Sequence, residues 1–187
     1  MQHIITFFIA NIYIIRKATQ GLANYLKKEI SNRKINVAIG YDSRIKSDLF
    51  AKEVASVLAK NGISVYIYKQ LMPTPLLSYA VRELKCSSGV MVTASHNPSK
   101  YNGYKVYGPD GCQITSLSAE LITKEISVID PFEVKTLSFA DYIENGLISY
   151  IDDNIYDSFI ERVKKESVLK DIKVNRDVKI VYSPLNG

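Results

Sequence analysis

A serine, a histidine and a lysine follow closely on a short apolar run in the middle of the chain. Residues 89–92 (GVMV) have the composition of a strand buried on both faces. Ser95 and His96 come next among small polar residues and a proline, and Lys105 lies just beyond an Asn-Gly pair that predicts a second turn. Loops after strands commonly carry catalytic groups in α/β folds. Residues 88–114 are therefore the candidate site, with a hydroxyl, an imidazole and an amine.

A second polar cluster, residues 40–44 (GYDSR), follows another predicted strand. The planar guanidinium of Arg44 could bind phosphate oxygens in a bidentate manner. An ion pair between Arg44 and Asp42 that fixes the turn is an equally good interpretation. A Ser–His hydrolase is a poor one, because the adjacent residues Ser95 and His96 do not readily adopt nucleophile and base geometry, and the chain has only 2 histidines.

Four short motifs together resemble one family. Residues 93–98 (TASHNP) and 101–105 (YNGYK) are similar to the phosphoserine loop of the α-D-phosphohexomutases, the phosphoglucomutase and phosphomannomutase enzymes. The resemblance continues in residues 40–44 (GYDSR) and 111–114 (GCQI), and covers roughly residues 11–187.

The resemblance implies roles for individual residues. Ser95 would carry the phosphoryl group as phosphoserine, and its phosphate oxygen would be a ligand of Mg²⁺. Lys105 would act as general acid or base on the sugar hydroxyl, and His96 would contribute hydrogen bonds or proton transfer near the phosphate. Each residue also has a structural alternative: a serine that satisfies a turn, a solvated lysine, and an imidazole that binds loop backbone groups.

The function implied is interconversion of hexose 1-phosphate and hexose 6-phosphate through a hexose 1,6-bisphosphate. The family's metal loop, sugar-reading loop and C-terminal phosphate loop have no counterpart in the sequence. We therefore expect the other domains of the enzyme as partners, and an inactive isolated chain. A phosphoglucosamine mutase domain and a non-catalytic binding or regulatory module of the same fold are the alternatives.

Apolar periodicity and turn residues predict alternating helices and strands. The fold class is accordingly α/β, with a mostly parallel or mixed sheet and helices on both faces. Predicted helices cover residues 11–31, 47–61, 76–84 and 116–129 and a segment that begins at 152–153. The predicted caps are Asn11 for the first helix, Ser47 or Asp48 for the second and Ser116 or Ser118 for the fourth. Predicted strands cover residues 36–40, 63–68, 89–92 and 177–182, with a possible strand at 147–150.

We expect three segments along the chain. Residues 1–10 form an atypical N-terminal segment that is apolar but too short to span a bilayer, and it lacks the family's Arg-Gly pair. Residues 11–175 form the phosphoserine domain. Residues 176–187 begin a second domain.

Composition limits the other function classes. A hydrophobic fraction of 47% in 187 residues argues for an ordinary folded domain. The net charge of +5 is spread among 19 acidic residues, so we expect a phosphosugar rather than nucleic acid as the ligand, and no membrane partner. The two cysteines, Cys86 and Cys112, predict buried thiols and a cytoplasmic location.

Overall fold

Six strands and six helices form the described part of the chain. The computed structural model describes residues 11–169 and 177–183, and the backbone of residues 5–7. The strands are β1 (Ile5–Phe7), β2 (Asn36–Tyr41), β3 (Ser64–Ile67), β4 (Ser88–Val92), β5 (Asn102–Tyr107) and β6 (Ile148–Tyr150). The helices are α1 (Ile12–Glu29), α2 (Ser47–Lys60), α3 (Thr74–Glu83), α4 (Ser116–Ser127), α5 (Phe139–Glu144) and α6 (Asp153–Lys165).

The strands form one mixed sheet in the order β1-β5-β4-β2-β3-β6. The four strands β4, β2, β3 and β6 are mutually parallel, whereas β5 runs antiparallel to both β4 and β1. The carboxyl ends of the four parallel strands therefore meet at one edge of the sheet. The predicted α/β class with a mixed sheet is confirmed.

Alternate residues of the central strands point to opposite layers of helices. Val37 and Ile39 of β2 pack in a cluster with residues of α1 and α2, whereas Ala38 between them packs with Leu77 and Val81 of α3. This separation is the two-residue period of a strand buried on both faces. The prediction of helices on both faces of the sheet is thereby confirmed.

Helix starts show where local signals were and were not sufficient. The Asn11 side chain accepts a hydrogen bond from the Ile14 amide, as predicted for the cap of α1. Helix α2 begins as expected, but its cap is Lys46 in a left-handed conformation, with no side-chain cap bond. The predicted cap Ser47 instead donates its hydroxyl hydrogen bond to Asp42.

Helices α4 and α5 depart from the predictions, whereas β6 and α6 agree with them. The cap residue of α4 is Thr115 rather than Ser116 or Ser118. The helix α5 was not predicted, although Ser138 and Asp141 form a reciprocal capping box at its start. The possible strand at 147–150 is confirmed as β6, and the helix expected after Asp152 is confirmed as α6.

Other local predictions were wrong. The Asn102-Gly103 pair does not form a turn but begins β5, because both residues pair with β1. Cys86 is buried as expected, but Cys112 is exposed.

The two ends of the chain bear on the predicted segments. The backbone of residues 5–7 pairs with β5 at the edge of the sheet. Residues 177–183 are exposed and lie outside any strand, so the strand predicted there is absent from these described residues, and residues 184–187 lie outside the described part. In the part of the chain that the structure describes, no helix is long and apolar enough to cross a bilayer.

Candidate active site

The antiparallel pairing of β4 with β5 brings Ser95 and Lys105 together. Met91 of β4 lies opposite Lys105 of β5, and Ser95 lies in the loop directly after β4. Lys105 Nζ donates a hydrogen bond of 2.6 Å to Ser95 Oγ. Lys105 is only 9% exposed, so its amine lies beside the serine rather than in solvent. The structure thus brings together two of the residues that the sequence analysis selected.

A glycine permits the close approach of the two strands at this point. A Cβ atom at residue 103 would lie 2.5 Å from the carbonyl oxygen of Thr93, which is too close for any other residue. The Thr93 amide donates to the Gly103 carbonyl over 3.0 Å. Gly103 therefore allows β5 to follow β4 as far as the residues that hold Ser95.

Ser95 has an uncommon backbone conformation. Its φ angle of 55° is in the left-handed region, which costs a residue with a side chain about 1–2 kcal/mol. The Ser95 amide donates a hydrogen bond of 3.0 Å to Thr93 Oγ1, and the Thr93 hydroxyl in turn donates to Asp42 Oδ2. Hydrogen bonds to the preceding strand end thus hold the serine in this conformation.

Arg44 binds the backbone of the same loop through its guanidinium group. Its side chain is 0% exposed, and its Nε donates to Asp42 Oδ2 over 2.9 Å. The remaining nitrogens donate to the carbonyl oxygens of Ser95, Asn97 and Pro98, the last over 2.9 Å. The ion pair considered as an alternative is therefore present. These contacts are all with protein groups and do not test phosphate binding, so the phosphate-binding role of Arg44 stays a prediction.

Burial changes the acidity of the site lysine. Desolvation lowers the pKa of Lys105 below its ordinary value, the negative charge of Asp42 opposes this, and the positive charge of Arg44 adds to it. A lysine with a lowered pKa has a larger fraction of neutral amine at neutral pH. Such an amine can accept a proton from a neighbouring hydroxyl, which is what a general base requires.

His96 is placed differently from Ser95 and Lys105. Its side chain is exposed on the outer side of the loop. Its predicted part in hydrogen bonding or proton transfer stays a prediction.

Metal-ligating side chains are not clustered in the described part of the chain. In residues 11–169 and 177–183, no group of three or more His, Cys, Asp or Glu side chains is placed to hold a metal ion. The carboxylate of Asp42, which is joined to Ser95 through Thr93, already accepts hydrogen bonds from Arg44, Thr93 and Ser47. Since Mg²⁺ requires several oxygen ligands, a phosphate on Ser95 could supply only part of the coordination.

Sequence reasoning missed several residues that organise the site. Asp42 was considered only as an ion-pair partner, and Thr93 and Ser47 were given no role here. Asn102 was expected to shape the loop, and its buried amide donates to Ser47 Oγ over 3.0 Å and to the Ile45 carbonyl over 3.3 Å. A usable signal was the position of Asp42 and Thr93 directly after two predicted strands.

Fold and site together define the class of protein: an α/β domain that presents a serine, hydrogen-bonded to a buried lysine, at the carboxyl edge of its sheet. The chain belongs to the phosphoglucomutase/phosphomannomutase family, because residues 3–132 match the family model described as alpha/beta/alpha domain I. The match begins within the segment 1–10 and includes the whole candidate site. Membership of the family confirms the resemblance found in the sequence.

Curated relatives agree with this assignment. The chain is 37% identical over 178 residues to a phosphoglucomutase of Staphylococcus saprophyticus, and this alignment covers 95% of the chain and 31% of the relative. It is 44% identical over 125 residues to a phosphoglucomutase of Staphylococcus aureus, which covers 66% of the chain and 22% of the relative. The chain thus spans about a third of the first of these relatives.

Solved structures show the same fold. A structure from Thermus thermophilus, described as a candidate phosphomannomutase, aligns with a TM-score of 0.73 and 29% identity over 88% of this chain and 35% of that one. A phosphoglucomutase family protein from Burkholderia thailandensis aligns with a TM-score of 0.66 over 88% of this chain and 34% of that one; at 21% identity this similarity supports the fold alone.

Proposed function

We propose that this chain is the phosphoserine-bearing part of an enzyme that interconverts hexose 1-phosphate and hexose 6-phosphate, with glucose or mannose as the hexose. The observation that carries the proposal is the hydrogen bond of 2.6 Å between Lys105 Nζ and Ser95 Oγ. It joins a group that can hold a phosphoryl group to a group that can hold a proton. A phosphosugar is the substrate class, and the family membership of the domain supports it.

The reaction requires a reversible transfer of phosphate to and from Ser95. In the forward step the phosphorus of phospho-Ser95 bonds to a sugar hydroxyl oxygen while its bond to Ser95 Oγ breaks, and a neutral Lys105 takes the hydroxyl proton. The product is a hexose 1,6-bisphosphate. Lys105 passes the hydroxyl proton to the Ser95 Oγ that the broken bond leaves. After the sugar reorients, Ser95 Oγ bonds to the phosphorus of the other phosphate while the bond from that phosphorus to the sugar oxygen breaks. Lys105 takes the Ser95 proton in this step and returns it to the sugar oxygen.

The remaining predicted groups have supporting roles in this proposal. His96 lies next to Ser95 on the exposed side of the loop, where it can hydrogen-bond an incoming phosphate. Arg44 adds positive charge next to the backbone of the loop. Mg²⁺, held in part by the phosphate of Ser95, would neutralise charge on the transferred group when bound. Waters and carboxylates would complete its set of oxygen ligands.

We further propose that the working enzyme contains domains that this chain does not include, since the chain covers 31% of a phosphoglucomutase relative. We propose a cytoplasmic location, to which the free thiols of Cys86 and Cys112 are suited.

Peptide mapping of the protein from its own cells by mass spectrometry tests the proposal. We expect phosphate on Ser95 and none on the exposed Ser99 of the same loop, and loss of the Ser95 phosphate on incubation with hexose 1-phosphate. An unmodified Ser95 in protein that turns over hexose phosphates would contradict the proposal. If glucosamine 6-phosphate removes the phosphate better than glucose or mannose phosphates, the enzyme is a phosphoglucosamine mutase. An unmodified Ser95 without turnover would favour a non-catalytic module.

A further inference from the structure

Three residues that neither carry the phosphoryl group nor move a proton in the proposed reaction form a continuous network around the backbone of Ser95. Asp42 follows β2, Arg44 lies two residues later, and Thr93 follows β4. Asp42 Oδ2 accepts from both Arg44 Nε and the Thr93 hydroxyl, and Asp42 Oδ1 accepts from the Arg44 amide over 3.1 Å. One carboxylate therefore joins the ends of two neighbouring strands.

The network ends on the backbone that carries Ser95. Thr93 Oγ1 accepts from the Ser95 amide, and Arg44 donates to the carbonyl of Ser95. Both backbone polar groups of the serine are thus bound by side chains of the network. Arg44 also binds the carbonyls of Asn97 and Pro98, which follow in the same loop.

The burial of Arg44 shows that this contact set is a built feature of the loop. A fully buried guanidinium is tolerated only when it is paired and its donors are satisfied. Arg44 meets both conditions here, through one carboxylate and the loop carbonyls. A surface arginine that paired with Asp42 alone would leave the loop backbone free.

We propose that Asp42, Arg44 and Thr93 are positioning residues that hold Ser95 in its left-handed conformation and thereby direct its Oγ atom toward Lys105 Nζ. This rests on the proposed function in one respect, namely that Ser95 is the phosphate carrier. The hydrogen bonds of the network offset the cost of the left-handed backbone conformation of Ser95. Without them the serine relaxes to an ordinary turn, and its contact with Lys105 is lost.

The test uses the chain of residues 1–187 and two measurements that need neither phosphate nor turnover. Hydrogen exchange at the Ser95 amide, followed by NMR, reports its bond to Thr93. Acetylation of Lys105 by N-hydroxysuccinimidyl acetate, followed by peptide mass spectrometry, reports whether Lys105 stays shielded beside Ser95. We expect Thr93→Val to raise both rates about fivefold or more, because it removes the hydroxyl but keeps the shape of the side chain.

Matched variants separate positioning from general destabilisation. Thr93→Ser restores the hydroxyl and should return both rates to within about twofold of the wild-type values. Thr123→Val, which removes an exposed hydroxyl bonded to the Ala119 carbonyl within α4, should change neither rate. Far-UV circular dichroism and melting curves establish that each variant is folded.

Arg44→Lys gives an independent second test. Lysine keeps the positive charge but cannot bind Asp42 and the loop carbonyls in a planar fork, so we expect both rates to rise. Arg16→Lys is its control, because Arg16 pairs with Glu53 away from the loop. Wild-type rates in folded Thr93→Val or Arg44→Lys protein would overturn the proposal, as would a Thr93→Ser variant that behaves like Thr93→Val. An unphosphorylated Ser95 in the cell would overturn only the proposed function.

Discussion

Two pairs of strand ends at the same edge of the sheet are built in different ways. At the ends of β2 and β4, Asp42, Arg44 and Thr93 interlock beneath Ser95, and Lys105 is buried beside it. At the ends of β3 and β6 lies a cavity of about 230 Å³, and its charged lining residues Lys69, Asp152 and Asp153 are exposed. Only the first pair keeps charged side chains in the protein interior.

The difference shows where the domain buries charged side chains, which has a cost in free energy. A buried charge is costly unless it is paired, and clusters of such groups are typical of functional sites. The end formed by β3 and β6 also belongs to a parallel pair of strands, but its charged side chains are exposed to water. Edge position therefore does not create a site by itself, and variants matched between the two ends can separate catalysis from architecture.

The largest effect is expected for Ser95→Ala. Without an oxygen at this position there is no acceptor for the phosphoryl group, so phosphate incorporation at residue 95 and turnover of the intact enzyme should both be abolished. Coupled assays of hexose 6-phosphate formation and intact-mass measurements check this. Ser99→Ala, in the same loop but exposed, should retain normal activity. Turnover retained by Ser95→Ala would rule out the phosphoserine mechanism.

Lys105→Met should lower kcat by about 10²–10⁴-fold, the usual contribution of a general acid or base. The melting temperature should stay the same or rise, because burial penalises the ammonium form of Lys105 in the folded chain. Lys69→Met at the other strand ends is the control, and it should leave kcat unchanged because Lys69 is exposed beside the cavity. Equal losses in both variants would mean that burial does not distinguish the two ends.

The lowered pKa of Lys105 predicts that the free energy of unfolding depends on pH. Between its folded-state pKa and the ordinary value of 10.5, the folded chain binds fewer protons than the unfolded chain. The contribution of Lys105 to the free energy of unfolding therefore rises with pH in this window and is least favourable below it. Urea denaturation of wild type and Lys105→Met from neutral to alkaline pH checks the sign. A difference between the two proteins that does not change with pH would contradict it.

The smallest effect is expected at the end formed by β3 and β6. Asp152 caps α6 by accepting from the Asn154 amide over 2.9 Å, so Asp152→Ala should lower the free energy of unfolding by about 1 kcal/mol. Activity should not change, because Asp152 lies outside the network. Asp157→Ala, which removes an exposed carboxylate further along α6, should leave stability nearly unchanged. A marked fall in kcat for Asp152→Ala would show that the cavity takes part in the reaction.

Local signals in the sequence predicted most of the helices and strands. Hydrophobic periodicity predicted helices α1, α2, α3, α4 and α6 and strands β2, β3, β4 and β6, with boundaries that differ by a few residues. The loop that resembles the family's phosphoserine loop was found because its residues are contiguous, and Ser95 and Lys105 were both selected from it. The helix α5 was missed because it has only 6 residues, too few for a clear period.

Tertiary structure decided what depends on neighbouring strands. Asn102 and Gly103 have the composition of a turn, but pairing with β1 and the hydrogen bond from Thr93 to Gly103 make them the start of β5. Ser47 was a plausible helix cap until Asp42 competed for its hydroxyl. The partners of residues 102 and 103 are distant in sequence, whereas Asp42 lies only five residues before Ser47 and is held in place by Arg44 and Thr93.

The sequence alone determined the family of this protein, its α/β class and the two groups that face each other in the site. Only the fold decided what holds them there, because the supporting residues come from segments that are distant in sequence. Asp42, Thr93 and Lys105 meet because β2, β4 and β5 are neighbours in the sheet. Strand order is set by the packing of all the layers together, so no local pattern could place these three residues around Ser95.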